Sequence, residues 1–399
     1  MLIKEFTSSI FDKQNNMFVI QTDSKSNMLV NKQTLLLLEI LKATDSYTLA
    51  HQEFCTQFNI TISFEDFKKV VVKKFTNKNI LIGEDVTTIK PKKYVWANFT
   101  IIPANIAGII SKPFEFLFNP VVFMWLFPTS VLSLIIASIN IFFKQSTPAI
   151  HSKTLLVLFF LSAFLHEIGH ITVCSRLKLK HGGIGAGIYF MFPVFYSEIS
   201  CIWIANKRDR IIANLAGVYL EILFSLCLLL FSKYTAIASS AVVVIGLRSL
   251  WELYPFVRSD GYWLLSDITN TPNLLPRSAA ILRKLFSFHF LKTIITNPLQ
   301  IIFRSNLRTV LICIYGMLNY SIMLFYLTAF YFGNSTLIKE FPKTLISIAK
   351  EAIQRNNPIE QIRIEYLFVV IWYIVSVNIF LAIIKYSFIK IASIWEAIY

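Results

Sequence analysis

His166, Glu167 and His170 form an H-E-x-x-H pattern within Phe164-Leu165-His166-Glu167-Ile168-Gly169-His170-Ile171-Thr172. Residues four apart share one face of an α-helix, so the two imidazoles can hold one zinc ion between them. Glu167, beside the first ligand, is the base that takes a proton from the attacking water. Together they are the parts of metal-assisted hydrolysis. The setting sharpens the reading, because the pattern sits in an apolar run from Thr154 to Leu177, long enough to span a bilayer. At about 1.5 Å per residue, His166 lies roughly 18 Å into that helix, near the middle of a hydrocarbon core roughly 30 Å thick. Ionisable side chains at that depth are costly unless they line a cavity or bind something. The expectation is a protease with one Zn2+ per chain and an active site within the membrane.

Two histidines and a water leave one tetrahedral position for a protein ligand. Tyr254-Pro255-Phe256-Val257-Arg258-Ser259-Asp260-Gly261 supplies the favoured candidate. Pro255 breaks an apolar run and Gly261 permits a sharp turn, so Asp260 sits at a helix break where its carboxylate can face inward. Glu221 and Glu252, both in apolar surroundings, compete for the position. Glu221 either pairs with Arg248 or braces the metal site, and the sequence leaves both open.

The elements that must carry these residues follow from composition. Of 399 residues, 55% are hydrophobic and 15% charged, against about 25% charged in soluble proteins, so most of the chain is a mainly α, polytopic membrane helix bundle. About six spans are expected, near 120–143, 154–177, 210–232, 236–256, 309–333 and 364–388. The net charge of +15 sits largely in short loops between apolar runs, which fits cytoplasmic loops and does not call for nucleic acid. Arg176, Lys178, Lys180, Lys207, Arg208 and Arg210 flank one such loop. The loop at 334–363, assigned to the outer side, carries five basic residues and fits less well. Residues 283–304 read either as an amphipathic helix on the cytoplasmic leaflet or as a solvated loop. Five scattered cysteines without a C-x-x-C give neither a disulfide framework nor a thiolate metal site.

Residues 1–95 are soluble in character. Weak alternation over Lys4–Thr22, with Asn15-Asn16 at a turn, and a further strand at Met28–Val30 precede three helices: Lys32–Ala43, Thr48–Phe58, and one capped by Ser63 that runs to about Lys78. A closing strand follows at Ile80-Leu81-Ile82. This order predicts a small α+β, winged-helix-like domain. Met1-Leu2-Ile3-Lys4-Glu5 lacks the apolar core of a signal peptide, so this domain is expected on the cytoplasmic side. Residues 96–119, apolar but broken by Pro103, Gly108 and Pro113, read as an interfacial linker before a transmembrane protease domain over 120–399.

With these motifs in view, the chain resembles the site-2 protease family of intramembrane zinc metalloproteases over about residues 150–270. That family pairs H-E-x-x-H on one span with Asp-Gly on a later one, here His166–His170 and Asp260-Gly261. Asn214-Leu215-Ala216-Gly217 is similar to its intervening Asn/Gly motif, and the likeness implies that Asn214 orients substrate or oxyanion; a structural hydrogen bond across helices is the commoner role of such an Asn. Tyr254-Pro255 and Gly217-Val218 stand where the family commonly has Asn-Pro and Gly-Pro. Gly182-Gly183-Ile184-Gly185-Ala186-Gly187 and Asp260-Gly261-Tyr262-Trp263-Leu264-Leu265-Ser266-Asp267 resemble a bacterial branch that matures or exports ribosomally made peptides. The branch implies a multi-pass protein of the bacterial plasma membrane, a peptide or membrane-protein substrate, and association with a peptide exporter. It implies a hairpin after the zinc helix in which Gly183, Gly185 and Gly187 bind an extended substrate; close packing of a loop is the equal alternative. It further implies a PqqD-like peptide-recognition domain at the N-terminus. The other reading of the whole chain is a non-proteolytic, zinc-containing membrane component of a peptide export or immunity system.

Overall fold

Among the described residues, four helices are long and apolar enough to cross a bilayer; they mark a membrane protein, and the H-E-x-x-H pattern lies on one of them. A computed structural model describes residues 3–12, 16–22, 27–75, 80–81, 96–144, 153–189, 192–231, 235–285 and 307–353, and scattered positions from 369 to 384. The chain divides into two units, residues 1–273 and 274–399.

The first unit begins with an antiparallel meander of β1 (Phe6–Asp12), β2 (Met17–Thr22) and β3 (Asn27–Asn31). The register of β1 on β2 slips between Ile10 and Asp12, which makes Phe11 a bulge. Three helices follow: α1 (Lys32–Ala43), α2 (Tyr47–Phe58) and α3 (Phe64–Phe75). Their starts are chemically specified. Asn31 accepts from the Thr34 N–H at 2.9 Å, and Ser63 accepts from the Asp66 N–H at 3.2 Å. Leu35, Leu38 and Leu41 recur every three residues along α1 and are buried with Ile20, Phe67 and Phe75 in a core of their own. Of the closing strand expected at 80–82, the described residues show one bridge, Ile3 to Leu81. Residue 15 of the expected turn and the helix end near Lys78 lie outside the described residues.

Next come β4 (Trp96–Ile102), α4 (Ala104–Ser111), a 3-10 segment (Lys112–Phe118), α5 (Pro120–Lys144) and α6 (Lys153–Arg176). The hairpin β5 (Ile184–Tyr189) and β6 (Phe192–Ser197) leads through a 3-10 turn (Ser200–Ile204) into α7 (Lys207–Leu229), α8 (Ala236–Glu252) and α9 (Asp260–Ile268). β4 pairs with β5, so a stretch read as linker completes a three-stranded β4-β5-β6 sheet. The partner strand is far off in sequence, and local pattern does not announce such a pairing. α6 and α7 pack along each other, with Ile168, Ile171, Ala213, Ala216, Tyr219 and Phe118 in one buried cluster. α5, by contrast, turns Trp125, Leu132, Ile136 and Phe143 outward, as a lipid-facing helix does.

α8 is 17 residues long and ends at Glu252, short of the span read over 236–256. In the second unit, α10 (Leu274–Leu285) packs on α11 (Leu307–Gly333). α12 (Ser335–Ile353) occupies much of the stretch read as an outer loop. Ile338 and Phe341 recur at helical spacing there and are buried, which accounts for a helix despite its lysines. Most of the amphipathic segment at 283–304, and much of the sixth span at 364–388, lies outside the described residues.

Candidate metal centre

α6 sets His166 and His170 one turn apart in its buried half, 4% and 5% exposed. Their Nε2 atoms are 3.1 Å apart. The His170 Nδ1–H donates to the Ala213 carbonyl of α7 at 2.8 Å. In a neutral ring this bond leaves the Nε2 lone pair free and aimed at the shared point.

The third group arrives from the start of α9. Asp260 is its first residue, and its Oδ2 lies 3.0 Å from His166 Nε2 and 3.2 Å from His170 Nε2. Gly261 makes this approach sterically feasible, since a Cβ there would overlap the Leu253 backbone, 2.8 Å from its Cα even at the third-nearest atom. Among the described residues, His166, His170 and Asp260 are the group able to hold a metal ion. Asp260 Oδ2 is buried without a hydrogen-bond partner. Four-coordinate zinc with bonds of 2.0–2.1 Å has ligand atoms about 3.3 Å apart. The triangle is within a few tenths of an ångström of that, so the donor set and its spacing fit zinc.

Glu221 and Glu252 are placed differently. Glu221, fully buried on α7, sits behind the His166 ring, its Oε1 3.4 Å from Nδ1. Arg248 of α8 pairs with the same oxygen, and the Ser249 hydroxyl donates to Oε2 at 2.8 Å. Glu221 therefore pairs with Arg248 and also stands beside the metal site. Glu252 lies 3.6 Å from Arg248. Gly217 closes the wall opposite, where an added Cβ would be 2.5 Å from Cδ2, Cε1 and Nε2 of His166. Glu167 is buried, 9% exposed.

Compared with known proteins, the chain matches no family model and no solved structure. It is similar to a protein of Bacillus subtilis (strain 168) named "Putative peptide zinc metalloprotease protein YydH", 27% identical over 115 residues. The match covers 28% of this chain and 46% of that protein, so the chain spans about half the length of the relative it matches. At this level the likeness supports a zinc metalloprotease.

The other expected site residues fall elsewhere. Asn214 gives its Nδ2–H to Asp267 Oδ2 at 2.7 Å, a buried bond that ties α7 to α9. Gly183 immediately precedes β5, while Gly185 and Gly187 lie on it; β5 is the middle strand, with partners on both sides. A Cβ on Gly183 would overlap the Ile102 carbonyl, and one on Gly185 would meet the Tyr196 ring at 2.5 Å. These two glycines admit close neighbours. In the sequence, Asp267 stands only as the end of a motif and Arg210 only as a loop cation; neither is marked as a site residue. Arg210 reads as a loop cation but is 1% exposed, with its Nε–H donating to Asp267 Oδ1 at 2.7 Å. Burial pushes the Asp267 carboxyl above its ordinary range, and Arg210 and Asn214 oppose that shift. The available signal was an arginine and an aspartate each next to long apolar runs.

Proposed function

We propose that this protein is an intramembrane zinc metalloprotease that cuts a small peptide precursor or a membrane-embedded segment, in the maturation or export of a ribosomally made peptide. The observation that carries the reading is the triangle of His166 Nε2, His170 Nε2 and Asp260 Oδ2, in which two corners lie with Glu167 on an apolar 24-residue helix and the third comes from the start of α9. The named relative supports the same chemistry.

His166, His170 and Asp260 hold the metal. When bound, zinc supplies a Lewis acid that polarises the scissile carbonyl and makes water acidic enough to ionise near neutral pH. Glu167 accepts the proton of the attacking water at its carboxylate and delivers it to the departing amine nitrogen. The His170 Nδ1–H stays on the Ala213 carbonyl, which holds that ring in one tautomer. Glu221 places its carboxylate 3.4 Å from His166 Nδ1, where its charge favours a proton on that nitrogen and leaves Nε2 to the metal, with Arg248 and Ser249 keeping it in place. Substrate must be extended to be cut. β6 packs on α6, Phe195 meets Phe160 and Phe164, and β6 has one paired edge among the described residues. An extended peptide adding to the other edge runs along the helix that carries the histidines. The bilayer is a partner throughout, with the N-terminal domain on the cytoplasmic side of a bacterial plasma membrane and an exporter nearby.

The test is the zinc content of detergent-purified protein. About one zinc per chain is expected in the wild type, lost in His166→Ala and Asp260→Ala and kept in Glu252→Ala. Glu167→Gln should keep its zinc and lose about 10²–10⁴-fold in peptide hydrolysis. Zinc-free wild type, or an active Glu167→Gln, would sink the reading.

A further inference from the structure

The N-terminal sheet reaches the metal site through a continuous set of contacts. Phe11, next to last in β1, is the bulged residue, and a bulge re-aims a side chain away from its own sheet. Phe11 is 6% exposed and stacks on Trp203 with centroids 6.0 Å apart. The Arg210 guanidinium lies over the Phe11 ring, its Cζ 4.3 Å from the centroid, a cation–π arrangement. Two amides fasten the same junction, since Gln21 Nε2 and Asn27 Nδ2 both donate to the Ser200 carbonyl, at 3.2 and 2.9 Å.

Arg210 passes this contact onward. Its Nη1–H donates to the Ala205 carbonyl at 3.0 Å, its Nε–H to Asp267, and its Nη2 has no hydrogen-bond partner. The Phe11 ring is thus what covers a guanidinium that hydrogen bonds leave incompletely satisfied. Asp267 is seven residues after Asp260 and Trp263 is three, so all three lie on one stripe of α9. Asp267 is gripped by Arg210 and Asn214, and Trp263 packs edge-on to Trp203 at 6.1 Å. α9 has nine residues, so a rotation or slide at its Asp267 end moves Asp260 at the other end.

We propose that Phe11 and Arg210 are positioning residues for the metal site: docking of the N-terminal sheet sets the placement of α9 and hence of the Asp260 ligand. The proposal rests on the metalloprotease reading, in which Asp260 binds zinc.

Zinc affinity of the full-length, detergent-purified chain, measured by competition with a chromophoric chelator, tests it. Partners that orient a ligand from outside typically contribute 10–100-fold in metal affinity. Acting one contact further out, Phe11→Ala should weaken zinc binding about tenfold, at the low end of that range. Phe11→Tyr, which keeps the ring face, should restore it. Ile10→Ala, one residue away on β1 and 56% exposed, should bind zinc as the wild type does. Phe11→Leu and Asp267→Asn provide a milder pair should Phe11→Ala misfold. Their effects should be less than multiplicative when combined, because both act on the placement of α9. Wild-type affinity in Phe11→Ala or Phe11→Leu, or fully multiplicative effects in the pair, would overturn the proposal while leaving the zinc site standing. Failure of the wild type to bind zinc would instead overturn the metalloprotease reading beneath it.

Discussion

Gly217→Ala adds one methyl group directly against the His166 ring. The new Cβ would lie 2.5 Å from three atoms of the His166 ring, where carbon atoms prefer about 3.5 Å or more. About 1 Å of movement is needed, and the ring has little room to yield. Its Nε2 edge faces Asp260 Oδ2 at 3.0 Å and His170 Nε2 at 3.1 Å, and its Nδ1 edge faces Glu221 at 3.4 Å. Metal–ligand distances tolerate about 0.2 Å, so the displacement is about five times what the site accepts. Loss of an outer partner alone weakens binding by about 10–100-fold, and a displaced ligand should cost at least about 100-fold. The local backbone effect has the opposite sign, because alanine favours a helix over glycine by about 1 kcal/mol. Gly217→Ala should therefore keep or raise the helical circular dichroism signal while purifying without zinc. Gly246→Ala is the control, because its added Cβ meets its nearest neighbour, Leu134, at an ordinary 3.7 Å. A Gly217→Ala protein with one zinc per chain and wild-type affinity would refute the packing argument.

Other substitutions probe the remaining walls of the site. Glu221→Gln keeps the volume but leaves Arg248 without its closest counter-charge; zinc affinity in chelator competition should fall about 10–100-fold. Adding Arg248→Met to it should recover thermal stability but not zinc affinity, and recovery of both would show that Glu221 only neutralises Arg248. Gly261→Ala drives a methyl group into the Leu253 backbone and should destabilise the protein by about 1–3 kcal/mol with loss of zinc, read by thermal unfolding and metal analysis. A stable, zinc-loaded Gly261→Ala would show that the turn before α9 has slack.

What the sequence made legible was local. α1 runs over Lys32–Ala43 as its apolar spacing predicts, because cap, period and core face are all written within a dozen residues. The pairing of His166 with His170 follows from the helical repeat, and the break between Glu252 and Asp260, which contains Pro255, brings Asp260 to them. What stayed illegible depends on partners remote in the chain. Nothing near Trp96 announces that β4 will pair with β5, and nothing near Leu337 separates a charged loop from the amphipathic α12 until its apolar face has a neighbour. Gly217 reads as a motif glycine, yet only the approach of α6 to α7 shows that its missing side chain makes room for the His166 ring.

Glu221 shows why charge in an apolar helix is better read in pairs than singly. A carboxylate alone in Leu220-Glu221-Ile222, or a guanidinium alone in Leu247-Arg248-Ser249, is costly to bury. Together they cancel most of that cost, and the Ser249 hydroxyl satisfies a further lone pair. Mutual neutralisation would serve equally well anywhere along α7 and α8, so it does not explain why the pair lies directly behind His166. The position is explained if the carboxylate has a second task at His166 Nδ1, 3.4 Å away. The same logic holds at Arg210, whose charge is met by Asp267 and whose face is covered by Phe11. In both places a largely buried ion pair stands behind the candidate site, the first in direct reach of His166 and the second at the far end of the helix that begins with Asp260. The pairs are therefore better understood as fixing geometry than as adding stability.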